Sequence, residues 1–274
     1  KPNVKFNKRN FLAGKGTNKK IGLYLTHNDE SYVPSDGYDS VYGAGGIHDV
    51  AKTFKQDLES YGINVVLNET LHIPHDVNAY SRSSNTAKKL LNENNLSALF
   101  DVHRDGTARQ YYVTTSGGKE RCHVRIVVGK ANPNREVNET FAIYLMSVAE
   151  QIYPWLFKDI YFANGHYNQA LFEKSLLFEM GSHMVEKPLV LKSMPALADV
   201  VNRALFESVV DDDENITVGG QESGTNTNIN DKLTDVANKK RMGAWQTSLI
   251  VIAVSGMATG LLLWYVAYKN KNLA

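Results

Sequence analysis

Short apolar runs alternate with helix-like patterns between residues 21 and 206, and this alternation constrains the fold more than any other feature. Apolar side chains recur at helical spacing in 47–61 and 78–94, whereas β-branched and aromatic residues fill the runs at 21–26 and 96–102. Repeated strand–helix–strand units predict parallel strands with helices packed against them. We therefore predict an α/β domain with a mainly parallel, twisted sheet and helices on both faces.

The second half of this region continues the pattern less regularly. We predict a β-pair, a helix, a strand and a last helix, over residues 111–115 with 122–128, 138–152, 175–180 and 188–206 respectively. The region shows no internal repeat, so we interpret it as one domain.

The composition changes at both ends of this domain. Residues 1–20 are basic and predict a loose arm, and residues 207–246 are acidic and polar, as is typical of a flexible linker. Residues 247–268 are 22 uncharged residues, which predicts a transmembrane helix because about 20 apolar residues cross a bilayer. A short tail, 269–274, would follow it. The catalytic domain is expected at 21–206.

Charge and cysteine content exclude several function classes. The formal net charge is only +1, which argues against a nucleic-acid partner, since such proteins usually carry a strongly basic face. Cys122 is the single cysteine of the chain, so an intrachain disulfide and any multi-cysteine metal site are excluded.

Metal-ligand side chains follow two of the predicted strands. His27 comes directly after the first strand, Glu30 lies three residues further on, and His103 follows the run at 96–102. The carboxyl ends of parallel strands meet at one edge of a sheet. Imidazole and carboxylate groups bind zinc, and three of them leave one coordination position for water. The pattern predicts a zinc site; His48, at a predicted helix start facing the same edge, is the alternative third ligand.

Two further charged residues are candidates for the chemistry. Glu179 ends the apolar strand SLLFEM, where an unpaired carboxylate is costly, and it is a candidate general base. Arg104, directly after His103, is a candidate for binding a substrate carboxylate or stabilising an oxyanion. For both residues a structural ion pair is the competing interpretation.

Five segments in order carry a resemblance to a known family. They are THNDESY, FDVHRD, VVGKANPN, HYNQALF and LLFEMGS, and they lie within residues 21–206. Together they resemble the stage II sporulation protein P family of bacterial cell-wall hydrolases, which is related to the zinc-dependent N-acetylmuramoyl-L-alanine amidases. The arrangement of two histidines and a glutamate is also similar to that of the zinc carboxypeptidases.

The resemblance implies that His27 and His103 bind Zn²⁺, that Glu179 is the catalytic glutamate, and that Glu30 belongs to the same motif as His27. It implies a zinc-dependent amidohydrolase that cleaves the N-acetylmuramoyl-L-alanine bond of peptidoglycan during wall remodelling linked to sporulation. The resemblance also implies a membrane tether at the N-terminus, as in a member of the family, whereas the apolar segment here is C-terminal.

Two other functions remain open on the sequence. The first is a zinc peptidase that cuts stem peptides or cross-links, and the second is an inactive wall-binding scaffold. We expect peptidoglycan as substrate, the membrane and other membrane-anchored wall-remodelling proteins as partners, and a location at the bacterial cell membrane with the domain facing the wall.

Overall fold

Eight strands and six helices form residues 19–207, the part of the chain that the computed structural model describes. The strands are β1 Lys20–Tyr24, β2 Asn64–Asn68, β3 Ala98–Asp105, β4 Val113–Ser116, β5 Lys119–Cys122, β6 Val124–Gly129, β7 Phe157–Ala163 and β8 Ser175–Ser182. The helices are α1 Val33–Asp36, α2 Ile47–Glu59, α3 Ala79–Glu93, α4 Arg135–Ile152, α5 Lys187–Leu191 and α6 Met194–Leu205.

Six of these strands form one mixed sheet in the order β2-β1-β3-β8-β6-β7. Neighbouring strands are parallel except for β6 and β8, which are antiparallel. The carboxyl ends of β1, β2, β3 and β8 therefore lie at the same edge as the starts of β6 and β7. β4 and β5 form a separate hairpin.

The two faces of β3 have opposite character. Phe100 points to a face where it packs with Phe54 of α2, Phe141 of α4 and Phe178 of β8, at ring-centroid distances of 4.7 to 6.4 Å. α6 packs on both α2 and α4 behind these rings. Because side chains alternate along a strand, Asp101 and His103 share the other face.

That other face is covered by α3 over only part of its width. Ala87 and Leu90 of α3 pack on Tyr24 and Leu99. Beyond this apolar contact, toward the carboxyl ends of the strands, the same face carries Asp101 and His103, so the charged residues lie past the end of the packed layer.

The predicted fold class needs correction. The sheet is mixed, because β6 and its neighbour β7 run opposite to the other four strands. The predicted transmembrane helix at 247–268 lies outside the described residues, as do the linker after residue 207 and nearly all of the basic arm. Within residues 19–207, no helix combines the length and the apolar composition that a membrane span requires.

The local predictions also differ from the structure at three places. The predicted β-pair is split, since the hairpin joins β4 to β5 while β6 belongs to the main sheet. The last helix is broken into α5 and α6 around Ser193. β7 was not predicted, because it is an edge strand with half-exposed side chains and lacks a continuous apolar run.

Candidate active site

The turn after β1 brings His27 and Glu30 together. Nδ1 of His27 lies 3.1 Å from Oε1 of Glu30. The turn is shaped by Gly45, whose backbone approaches so closely that a Cβ atom there would lie 2.2 Å from the carbonyl oxygen of Glu30. The amide N–H of Ile47 donates to the same carbonyl at 3.0 Å. The start of α2 thus holds the glutamate in place.

His103 reaches the same point from β3. Its Nδ1 lies 3.6 Å from Oε1 of Glu30, and its ring centroid lies 4.8 Å from that of His27. On the opposite side of the ring, Nε2 lies 3.0 Å from Oδ1 of the buried Asp101. Asp101 is itself fixed by Thr26, whose backbone N–H and hydroxyl both donate to the carboxylate. The carboxylate of Asp101 therefore lies behind the imidazole, and Nδ1 faces Glu30.

Glu179 lies beside His103 on the neighbouring strand. The two residues are register partners in the parallel pair β3–β8, so their side chains share a face. Glu179 is partly exposed, but its Oε2 atom is buried and has no hydrogen-bond partner. Burial raises the pKa of Glu179 to about 8; the charges of Glu30 and Asp105 act in the same direction, and those of His103 and Arg104 oppose it. This carboxyl group can exchange a proton near neutral pH.

Electrostatic coupling runs through the three metal-ligand candidates. Burial opposes a charge on Glu30, yet the imidazoles of His103 and His27 hold the pKa of this carboxyl well below its usual value. Burial likewise opposes a charge on His103, but Asp101 and Glu30 raise its pKa. Burial lowers the pKa of His27. A bound cation would replace the positive charge that His103 supplies, because a metal displaces the imidazole proton.

Another histidine, His75, lies at this cluster. Among the described residues, possible ligand atoms of His27, Glu30 and His75 all lie within 4.8 Å of one another. Its imidazole is stacked on that of His27, with centroids 3.7 Å apart. His103 is adjacent to this group through Glu30. The structure thus groups the predicted ligands His27 and Glu30 with His75, and it places the third predicted ligand, His103, next to that group.

Arg104 contacts Glu30 and the loop after β1. Its backbone N–H donates to Oε2 of Glu30 at 2.9 Å. Its guanidinium donates to the carbonyl oxygens of Ser31 and Asp39, at 3.2 and 2.8 Å. In this structure the side chain therefore braces the loop after β1, and its assignment to the oxyanion stays a prediction.

The alternative ligand His48 is engaged elsewhere. Its Nδ1 lies 2.8 Å from Oε1 of Glu69, and Lys52 forms a second ion pair with the same carboxylate. In the described part of the chain, His48 does not belong to the group of possible metal ligands. The geometry thus favours Glu30 over His48.

Sequence reasoning missed Asp101 and the place of His75. Asp101 is two residues before His103, and the period of two along a strand would have placed both on one face. His75 follows β2, which is the neighbour of β1 and ends at the same sheet edge. Asp105, two residues after His103, accepts hydrogen bonds from Arg125 and Tyr112.

Comparison with solved structures finds amidases at low similarity. The CwlD amidase from Clostridioides difficile, in complex with the GerS lipoprotein, is 12% identical with a TM-score of 0.48, over 69% of this chain and 98% of that one. The catalytic domain of the amidase CwlV from Bacillus (Paenibacillus) polymyxa var. colistinus is 12% identical with a TM-score of 0.40, over 68% of this chain and 98% of that one. Both scores are too low to support an inference.

Comparison with sequences is more specific. Stage II sporulation protein P of Bacillus subtilis (strain 168) is 31% identical over 212 residues, and the match covers 70% of this chain and 53% of the relative. The chain thus spans about half the length of this curated relative. The family model described as stage II sporulation protein P (SpoIIP) matches residues 2–202, well over half of the 274 residues. The expected resemblance is confirmed, and this chain belongs to the stage II sporulation protein P family.

Proposed function

We propose that this protein is a zinc-dependent hydrolase of peptidoglycan that cleaves the amide bond between N-acetylmuramic acid and L-alanine during sporulation. The observation that carries the proposal is the meeting of His27, Glu30 and His103 beside a carboxylate, Glu179, whose buried oxygen has no partner. Membership of the family supports the sporulation and cell-wall context.

The donor set fits zinc. Two imidazole nitrogens, of His27 and His103, lie 3.1 and 3.6 Å from the same carboxylate oxygen of Glu30. Asp101 behind His103 supplies the carboxylate support that histidine ligands of zinc usually have. Three protein ligands with an open fourth position are typical of catalytic zinc sites. When bound, zinc lowers the pKa of water and polarises a carbonyl group.

Glu179 is proposed as the general base and acid. It takes a proton from the attacking water and delivers that proton to the departing amine of L-alanine. Its raised pKa, about 8 in the metal-free protein, suits a group that must both accept and release a proton near neutral pH.

The substrate is expected to approach from the open side of the site. Tyr80, at the start of α3, stacks over His103 at a centroid distance of 6.2 Å and meets Tyr167 edge-on at 5.2 Å. These rings form one apolar wall beside Glu179. We propose that this wall excludes water behind the scissile amide.

The test is product analysis with purified, zinc-loaded full-length protein and peptidoglycan. We expect release of stem peptides with free L-alanine amino ends, and loss of the products in His27→Ala and Glu179→Gln. Cleavage within stem peptides or cross-links alone would favour the zinc peptidase. Wall binding without turnover, unchanged by these substitutions, would favour the scaffold.

A further inference from the structure

A third imidazole, that of His75, lies in the site and has no role in the proposed reaction. His75 is on the loop between β2 and α3, and its ring stacks on that of His27 with an interplanar angle of 24°. One of its ligand atoms is within 4.8 Å of those of both His27 and Glu30. A nitrogen this near to two other donors is close enough to share one ion with them after a small adjustment.

His75 also has the carboxylate support that is typical of a metal ligand. Its Nδ1 lies 3.0 Å from Oδ1 of Asp29, which is buried. Oδ2 of Asp29 accepts a hydrogen bond of 2.9 Å from the hydroxyl of Ser40. A histidine that gives one ring nitrogen to a carboxylate presents the other, here Nε2, for coordination.

The loop that carries His75 is firmly held. The buried His72 has one ring nitrogen 2.7 Å from the carbonyl oxygen of Leu25 and the other 2.8 Å from Oγ1 of Thr86. Arg82 donates through Nε to the carbonyl of His72 at 2.9 Å and pairs with Asp76 at 2.7 Å. The contacts of His72 and Asp76, which lie before and after His75 in the sequence, therefore fix the position of His75.

Side-chain exposure separates His75 from the other donors. The exposed fractions are 2% for His103, 5% for Glu30 and 15% for His27, but 38% for His75. We infer that His75 is an exchangeable fourth ligand of the metal held by the other three. The inference rests on the metal site of the proposed function, and it adds that the resting site is closed by protein.

A closed site has a clear consequence. Four protein ligands complete the tetrahedral shell of zinc, as in structural sites, and leave no position for water. Water and substrate gain access only after His75 has left. Because His75 is the most exposed of the four donors, it can be displaced without opening the core of the domain.

The experiment measures metal binding and not activity. Zinc affinity of the full-length protein is determined by competition with a chelator, and the visible spectrum is recorded after substitution with Co²⁺. We expect His75→Ala to bind zinc about 10- to 100-fold more weakly and to show altered cobalt bands, because water replaces a nitrogen. His75→Gln serves as a second variant that keeps side-chain bulk in the loop.

His166→Ala is the matched control, since it removes an exposed imidazole outside the cluster. Wild-type zinc affinity together with an unchanged cobalt spectrum in His75→Ala and His75→Gln would overturn the inference. If the wild type released no stem peptides but His75→Ala still weakened metal binding, the proposed function would fail and this inference would stand.

Discussion

Two polar clusters lie side by side on the same face of the sheet. They differ in whether their charged side chains have hydrogen-bond partners. In the arginine cluster, Arg125 donates to Asp105 at 2.8 Å and to both oxygens of Asp159 at 2.7 and 3.1 Å, and Tyr112 also donates to Asp105. In the site cluster, which consists of His27, Glu30, His103 and Glu179, Oε2 of Glu179 has no partner.

The two clusters touch through a pair of register partners. Arg125 of β6 is opposite Glu179 of β8, yet its hydrogen bonds go to Asp105 and Asp159. A free arginine there would neutralise Glu179 and lower its pKa. The comparison shows that Arg125, whose hydrogen bonds all go to the arginine cluster, leaves the carboxyl group of Glu179 free to exchange a proton. A buried polar atom without a partner calls for an explanation, and beside metal-ligand side chains a chemical role is one.

The sharpest test of the comparison is Glu179→Gln. We expect turnover of peptidoglycan to fall by about 10²- to 10⁴-fold, because the amide cannot accept the proton. The fold should persist, since Oε2 of Glu179 makes no hydrogen bond that the substitution would break. Release of L-alanine amino ends and thermal unfolding are measured together. Near wild-type turnover would remove Glu179 from the proposed chemistry.

Arg125→Ala tests the arginine cluster. It leaves Asp105 and Asp159 without their shared cation in a largely buried position. We expect a loss of about 3 kcal/mol in the free energy of unfolding, measured with urea. Lys55→Ala, at an exposed helix pair, is the control and should cost less than about 0.5 kcal/mol. Equal effects of the two substitutions would contradict the comparison.

The pH dependence of the free energy of unfolding should distinguish the two clusters without an activity measurement. The pKa of Glu179 is about 8 in the folded protein, above its ordinary value of 4.5. Between these values the folded state holds a proton that the unfolded state has released, so stability falls as pH rises from about 5 to 8. We expect Glu179→Gln to remove this decline and to be more stable than the wild type at pH 8, by a few kcal/mol.

The measurement for this third prediction is urea unfolding of chelator-treated protein at several pH values. The pH-dependent difference between the wild type and Glu179→Gln should vanish well below pH 4.5, where the glutamate is neutral in both the folded and the unfolded state. Parallel stability curves across the whole range would show that Glu179 is already ionised in the metal-free fold.

Asp101→Asn tests the carboxylate that lies behind His103, and it has the smallest expected effect. The amide keeps the shape of the side chain but loses the charge that faces His103. We expect about a tenfold loss in zinc affinity. Asp159→Asn, on the same face but in the arginine cluster, is the control for the loss of one charge, and it should leave zinc affinity unchanged.

The main site residues could be placed from the sequence because each lies at the end of a short apolar run. His27, His103 and Glu179 end three apolar runs, and parallel neighbours bring such ends together. The direction of β6 could not be predicted, because alternating burial is the same in parallel and antiparallel strands. His75 escaped assignment because its position depends on a loop held by His72 and Arg82, which no periodicity encodes.

The close approach at Gly45 limits how this domain can be redesigned. A side chain at position 45 would collide with the main chain of Glu30, and no rotamer relieves a clash at Cβ. A mutant library aimed at new substrates should therefore hold this position constant and diversify the solvent-facing tyrosines at 38 and 42. At position 45, only glycine fits the backbone that places Glu30.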